Sequence, residues 1–119
     1  MAPFEWDELG GVLHRVECLS SGRVVDISLK SDEGGLRVEV RGRLSKAESR
    51  EITAKANWMF MLGADFREFY ARAEAEPRLA HCRAGAHGRF LRSPALYEDI
   101  VKVMLTTNIR WSGTRRLVA

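Results

Sequence analysis

Two neighbouring segments alternate apolar and polar residues, and this alternation constrains the fold more than any other feature of the chain. Their apolar positions are all aliphatic: Val25, Ile27, Leu29, Leu36, Val38 and Val40. Successive side chains of a strand point to opposite faces, so each segment predicts a half-buried strand. Residues 12–19 are expected to form a further strand, with turns at residues 20–22 and 31–35. The pattern predicts an antiparallel sheet of three or more strands with one polar face.

A capping box marks the first predicted helix. Ser45 and Glu48 have the spacing at which each side chain accepts a hydrogen bond from the other residue's backbone amide. We expect the helix to run from there to about residue 62 and Gly63 to end it. Residues 1–62 are thereby predicted to form a sheet-plus-helix domain. Three apolar residues near the N-terminus are expected to anchor against its core: Phe4, Trp6 and Leu9.

The second predicted helix begins near Asp65 and closes at Pro77. Its apolar stripe has helical spacing: Phe66, Phe69, Tyr70 and Ala73. With Trp58 and Phe60, these rings are dense enough to suggest an aromatic platform of the kind that stacks single-stranded bases. The helical spacing favours ordinary core packing instead.

A third helix, at residues 94–107, has the clearest sequence signals. Ser93 is expected to cap it, and Pro94 takes the first position, where a missing amide costs nothing. Glu98 and Lys102 are spaced to pair across one turn. Its apolar positions form one face that we expect to be buried: Tyr97, Ile100, Val101, Met104 and Leu105.

A polar break follows that helix, and Ser112 is expected to cap a fourth one. We single out the break and its neighbours as a candidate binding loop: Thr107, Asn108, Ile109, Arg110 and Trp111. Strands followed by helices predict an α+β fold, in which residues 63–119 form a helical segment beyond the sheet.

Excess positive charge is confined to the last third of the chain. Residues 77–119 carry eight Lys or Arg against two Asp or Glu, whereas residues 1–76 carry eleven against fourteen. Seven of those eight cations are arginine, whose planar guanidinium suits contacts to phosphate. The asymmetry favours an anionic partner such as nucleic acid, and a merely solvated basic face is the alternative.

Several classes of protein find no support in the sequence. No apolar run approaches the roughly 18 residues of a membrane span, and no signal-peptide order is present. We therefore expect a cytoplasmic protein, nucleoid-associated if bacterial, with reduced Cys18 and Cys82. The spacing of Cys82 with His81 and His87 fits no zinc pattern, so no metal or other cofactor is expected. We find no nucleophile–base pair and no phosphate-binding glycine loop.

Two stretches of the second half resemble the helix-hairpin-helix DNA glycosylases, the superfamily of the 8-oxoguanine and 3-methyladenine enzymes. They are LGADFREFYARAEAEPRL, from Leu62, and GRFLRSPALYEDIVKVMLTTNIRWSGTRRLV, from Gly88. Residues 12–44 resemble, less specifically, the family's N-terminal sheet, which is like half of a TATA-binding-protein fold. The resemblance implies that residues 63–119 are the first helices of an all-α glycosylase domain. It also implies double-stranded DNA as the partner and base excision repair as the process.

The resemblance also implies a role for the candidate loop. These enzymes extrude a damaged base and place a side chain in the vacated space. Asn108 matches the position of the hole-filling asparagine of the 8-oxoguanine enzymes, while Ile109 and Trp111 would add apolar or stacking contacts and Arg110 a phosphate contact. Gly113 stands where some members carry an arginine that reads the partner base. From its residue type alone, Asn108 could instead end the helix, because asparagine tolerates left-handed geometry.

The family's glycine-rich hairpin and catalytic aspartate follow the region matched here. No carboxylate in these 119 residues fits the aspartate's motif, and Glu98 and Asp99 are expected to be surface charges. We therefore expect this chain to bind DNA weakly and to be catalytically incomplete. The alternative hypothesis is a non-catalytic DNA- or protein-binding module. It would self-associate as a homo-oligomer through the apolar faces of its last two helices.

Overall fold

The computed structural model describes residues 3–33 and 35–117. Within them, four antiparallel strands in sequential order form one sheet, and four α-helices follow. The strands are β1 (Phe4–Asp7), β2 (Val12–Cys18), β3 (Val24–Asp32) and β4 (Gly35–Val40). The helices are α1 (Lys46–Met59), α2 (Arg67–Glu74), α3 (Leu96–Thr106) and α4 (Trp111–Leu117). The predicted α+β class and antiparallel sheet are confirmed.

The inner face of the sheet carries the core. Val25, Ile27 and Leu29 on β3 are all buried, as their alternation predicts. The first strand was not predicted as such, because its apolar–polar alternation extends over only four residues. It pairs with β2 from Phe4↔Arg15 to Asp7↔Val12. Phe4 packs against the core, but Trp6 and Leu9 are exposed, so the anchoring prediction is wrong for those two residues.

The first helix covers this inner face. The predicted capping box is present, with both the Ser45 and the Glu48 hydrogen bond formed. Ile52, Ala56 and Met59 are buried against the sheet. The helix ends at Met59, three residues earlier than predicted, because Phe60 turns back to pack against the core. The left-handed residue after it is Met61, with φ of 52°, and not Gly63.

The second helix packs a small aromatic cluster outside the main core. Asp65 accepts a hydrogen bond from the backbone amide of Arg67, where the helix begins, and the helix ends before Pro77. The rings of Phe66, Phe69 and Tyr70 contact one another with centroids 5.3–6.2 Å apart. Of the predicted stripe only Ala73 is buried. Core packing is confirmed for Phe60, whereas Phe69 and Trp58 are exposed, so it is wrong for those two.

The third helix lies on the surface, contrary to the prediction that one of its faces is buried. None of its residues is buried, and Tyr97 and Met104 are 79% and 66% exposed. On the same predicted face, Val101 and Leu105 are half-buried and Ile100 is exposed. The helix starts at Leu96, two residues later than predicted, because Ser93 is engaged elsewhere. Its carbonyl accepts a hydrogen bond from the Trp58 indole, and its hydroxyl accepts one from Lys102.

The molecule is more extended than a compact domain of the same length. The radius of gyration is 16.7 Å, against about 13.5 Å for a compact chain of this length. The fourth helix begins at Trp111, so Ser112 lies inside its first turn and is not the predicted cap. Among the described residues, no helix has both the length and the apolarity that crossing a membrane requires.

Candidate functional site

The five candidate binding residues lie at the corner between α3 and α4. Thr107 follows the last residue of α3, and Trp111 is the first residue of α4, so residues 108–110 connect the two helices. All five side chains are exposed, and Trp111 is 61% exposed. The structure therefore places the predicted loop as one continuous surface corner.

Threonine hydroxyls hold this corner together. The hydroxyls of Thr106 and Thr107 donate to the carbonyls of Val103 and Met104, each at 2.6 Å. The hydroxyl of buried Thr114, on α4, donates to the Leu105 carbonyl at 3.2 Å. The last carbonyls of a helix lack partners within it, so these bonds satisfy groups that otherwise need water. They fix the end of α3 relative to the start of α4.

Asn108 has a left-handed backbone, with φ of 55°. This conformation is unfavourable for most residues but is tolerated by asparagine. The left-handed geometry expected of a helix-ending asparagine is confirmed, but the residue that caps α3 is Thr107, and Asn108 directly follows it. Within the part of the chain that the structure describes, no hydrogen bond is made by its side-chain amide. The amide is thus available to a partner.

Ile109 is 41% exposed, but one side of it packs against α4. A β-carbon at Gly113, which is buried in the first turn of α4, would lie 2.6 Å from Cγ1 of Ile109. The arginine that some glycosylases carry at the position of Gly113 does not fit here unless Ile109 moves. Asn108, Arg110 and Trp111 are therefore the side chains that this corner offers to a partner.

The contact between Ile109 and Gly113 predicts that Gly113→Ala destabilises the chain when Ile109 is present and stabilises it when Ile109 is replaced by alanine. Gly113→Ala is expected to lower the free energy of unfolding by about 1 kcal/mol, because the clash with Ile109 outweighs the higher helix propensity of alanine. In an Ile109→Ala background the clash is gone, and the same substitution should stabilise the chain by up to about 1 kcal/mol. Urea unfolding of the four proteins measures this double-mutant cycle. Additive effects would show that the two side chains do not compete for this space.

Arginines without acidic partners surround the corner. Among the described residues, Arg110, Arg115 and Arg116 form no ion pair, although all three are exposed. Elsewhere among the described residues half of the arginines are paired, as Arg37 is with Asp32 at 2.6 Å. Arg110, Arg115 and Arg116 therefore place three unpaired positive charges close to the candidate loop. Unpaired cations on one surface attract an anionic partner.

Glu98 joins α3 to the sheet, contrary to the prediction that it is a surface charge. Its carboxylate accepts two hydrogen bonds from the Arg15 guanidinium, the shorter of 2.6 Å, and another from Lys102. Arg15 is only 4% exposed and also binds Glu17 at 2.7 Å. Lys55 on α1 binds the second oxygen of Glu17 at 2.8 Å. We call these five residues the charge network.

The charge network shifts the pKa values of its members. Burial alone would raise the pKa of Glu98, but the hydrogen bonds from Arg15 and Lys102 outweigh burial and hold that pKa below its ordinary value. Burial would likewise lower the pKa of Arg15, and its bonds to Glu98 and Glu17 raise it instead. Both groups therefore stay charged, and the pair fixes the direction of α3 and of the corner at its end.

A hydroxyl–imidazole contact on the outer face of the sheet was not foreseen from the sequence. Ser28 and His14 are cross-strand partners, and the Ser28 hydroxyl lies 3.1 Å from Nδ1 of His14. The flanking strand amides belong to the sheet ladder, so they are not free to stabilise an oxyanion. This pair alone does not form a hydrolytic site.

A second grouping that spacing did not predict lies between α2 and α3. His81, Cys82 and His87 have their potential ligand atoms within 4.8 Å of one another. Zinc patterns in sequence require regular ligand spacing, which this loop lacks. One sequence signal is Gly85, because a β-carbon there would lie 2.4 Å from Nε2 of His87.

Comparison with known proteins gives no family assignment. No protein-family model matches the chain, and no curated protein or solved structure matches it either.

Proposed function

We propose that this chain is the N-terminal part of a base-excision-repair DNA glycosylase of the helix-hairpin-helix superfamily. In this role it binds damaged double-stranded DNA and supplies the wedge loop, residues 107–111, that occupies the space of an extruded base. The observation that carries the proposal is the exposed corner, where left-handed Asn108 has an amide with no partner among the described residues.

A wedge needs rigid support, because unstacking a base costs a few kcal/mol. The corner offers that support through the Thr114 hydroxyl bond to Leu105 and through the packing of Ile109 on Gly113. The Asn108 amide has donors and an acceptor with which to bind an orphaned base. Trp111, at the start of α4, adds an exposed aromatic face suited to stacking.

The charge distribution supports binding to a phosphate backbone. Arg110, Arg115 and Arg116 lie within seven consecutive positions around the wedge loop. Cations that neutralise phosphates release condensed counterions, and this release dominates non-specific affinity for DNA. We therefore expect binding that weakens steeply as salt rises.

The experiment compares two labelled duplexes, one intact and one with a single abasic site. By fluorescence anisotropy at low salt, the chain should bind the abasic duplex more tightly. Asn108→Gly should lower this preference by about tenfold, the effect of losing one good base contact, with little change on the intact duplex. Glycine keeps the left-handed backbone, so only the amide is removed. Asn57→Ala, on exposed α1 surface, is the matched control.

Two results would contradict this function. One is the absence of duplex binding at low salt, and the other is equal affinity for both duplexes that Asn108→Gly leaves unchanged. Base release is followed in the same samples with lesion-containing duplexes. None is expected, because no carboxylate of the sequence matches the family's catalytic aspartate.

A second candidate is a DNA- or protein-binding module that self-associates. The apolar face of α3 favours it, because Tyr97, Ile100 and Met104 are exposed there side by side. Exposed apolar patches of this kind promote association. Sedimentation velocity at rising concentration distinguishes the candidates: a chain that stays monomeric while binding the abasic duplex fits the wedge function only.

A further inference from the structure

The loop after α2 gathers most of the imidazole and thiol groups of this chain. The sequence contains three histidines and two cysteines in all. Two of these histidines, His81 and His87, and one cysteine, Cys82, place one potential ligand atom each within 4.8 Å of the other two. The imidazole rings lie edge to face with centroids 5.4 Å apart.

Backbone hydrogen bonds close the loop on itself. A 3₁₀ turn at Ala80–Cys82 sets His81 and Cys82 next to each other. The amide of His87 then donates to the carbonyl of Cys82 at 2.9 Å, and the amide of Gly85 donates to the carbonyl of His81 at 3.1 Å. These bonds bring His87 back over the turn that carries the other two side chains.

The residues between Cys82 and His87 allow His87 to lie this close to His81 and Cys82. Ala86 has φ of 49°, a left-handed conformation that costs a residue other than glycine about 1–2 kcal/mol. A β-carbon at Gly85 would lie 2.4 Å from Nε2 of His87, so a larger residue there would displace the imidazole. The Tyr70 hydroxyl donates to the His87 carbonyl at 3.0 Å and holds it from the side of α2.

We propose that His81, Cys82 and His87 form a binding site for Zn²⁺, with the fourth coordination position open. Imidazole nitrogen and thiolate sulfur are the donors that zinc prefers over the oxygen donors of magnesium and calcium. Zn–N bonds of about 2.0 Å and a Zn–S bond of about 2.3 Å require ligand atoms roughly 3.3–3.5 Å apart in a tetrahedron.

The potential ligand atoms lie up to 4.8 Å apart. On the basis of those bond lengths, the two most distant atoms must approach each other by about 1 Å when the metal binds. Both histidines are exposed and free to rotate inward, whereas Cys82 is buried and provides the fixed side of the site. Solvent reaches the imidazoles, so an ion can enter. A bound ion would fasten the loop after α2. That loop leads into α3, which ends at the wedge loop.

The test is titration of the full chain with Co²⁺ as a spectroscopic substitute for Zn²⁺, under reducing conditions. We expect one equivalent to bind with a thiolate-to-cobalt charge-transfer band in the near ultraviolet and with the intense visible bands of tetrahedral cobalt. Addition of Zn²⁺ should abolish both. Cys18→Ser and His14→Gln remove the remaining thiol and imidazole of the chain and should leave the spectrum unchanged.

Two variants of the cluster complete the experiment. Cys82→Ser should abolish the charge-transfer band. His87→Gln should weaken Co²⁺ binding by more than about tenfold, since even a partner outside the ligand shell is worth that much. Cys82 is buried, so its variant is checked by circular dichroism; if it does not fold, exposed His87 decides the outcome. The proposal would be overturned by any one of three results: no binding of Co²⁺, binding without the thiolate band, or unchanged Co²⁺ affinity in His87→Gln.

Discussion

Replacing Glu98 with glutamine is expected to lower the free energy of unfolding by about 3 kcal/mol, as judged by urea denaturation. The substitution keeps the size of the side chain but removes the charge that neutralises Arg15. The Arg15 guanidinium is almost fully buried and binds Glu98 at 2.6 Å, so it keeps only Glu17 as a counterion. The loss of a counterion from a buried charge is far more costly than the loss of an exposed pair.

The matched control is Glu68→Gln on α2. Glu68 also pairs with an arginine, Arg72 at 2.6 Å, but both side chains are about 80% exposed. Its loss should change the stability very little, because exposed ion pairs contribute little. If both substitutions have the same small effect, the charge network does not stabilise the attachment of α3 to the sheet.

The pH dependence gives a second readout of the same prediction. Glu98 has a pKa below the ordinary glutamate value of about 4.3 because of its bonds to Arg15 and Lys102. The unfolded chain therefore binds this proton more readily, and the stability that Glu98 contributes is fully present above about pH 4.3. It is lost as the pH falls through the lower, folded value. The wild-type chain should lose stability faster than Glu98→Gln over that acidic range.

Replacing Arg110, Arg115 and Arg116 together with glutamine is expected to lower the affinity for an intact duplex by about 10²-fold at 0.1 M salt. Each lost phosphate contact also reduces the slope of log K against log salt by about 0.9, so the slope should fall by close to 3. Anisotropy titrations at several salt concentrations measure both quantities. The reason is structural: these three cations have no acidic partner among the described residues, so their charge is available to DNA.

A control triple variant separates local contacts from net charge. Arg37, Arg67 and Arg72 are also exposed, but each is paired with a carboxylate. Their replacement by glutamine changes the net charge by the same amount. We expect it to affect duplex affinity much less, because these side chains lie away from the corner in sequence and are already neutralised. Equal losses in the two variants would rule out a localised DNA contact at the wedge loop.

Local patterns in the sequence predicted the sheet and the start of α1. The alternation around Ile27 and Leu29 is correct because β3 is a central strand with one buried face, and burial requires an apolar residue at every second position. The capping box at Ser45 is correct because both of its hydrogen bonds lie within four residues. Such features depend on neighbours in the chain and not on the tertiary fold.

The charge network could not be predicted in the same way. The pairing of Phe4, Arg15 and Ile27 across β1, β2 and β3 places Arg15 on the core side of the sheet, while its neighbour Val16 is exposed. A buried arginine beside an exposed valine reverses the usual placement of polar and apolar residues. It is stable here because Glu98, 83 residues away, binds the Arg15 guanidinium. A pattern read along one strand contains no information about so distant a counterion. The same limit applies to α3, whose apolar periodicity predicted burial that the described residues do not provide.

The break between α3 and α4 was predictable in position, but the contacts around it were not. The residue types at 107–111 predict a break with a left-handed asparagine, and Asn108 has that geometry. The packing of Ile109 against α4 depends on the absence of a side chain at Gly113, four residues later in that helix. The grouping of His81, Cys82 and His87 depends on a loop return with a strained Ala86, which no ligand-spacing rule describes.

The confinement of the hydrophobic core to the sheet and α1 has a consequence for how this chain unfolds. The buried apolar cluster consists of residues between Leu19 and Met59, whereas α3 has no buried residue and is attached largely through polar contacts. Regions with few buried apolar contacts open at lower free energy than the rest of a protein. We therefore expect α3 and α4 to detach and reattach as a cooperative unit while the sheet stays intact. Duplex DNA bound at the corner would suppress this partial unfolding, so that recognition and ordering of the helices occur together.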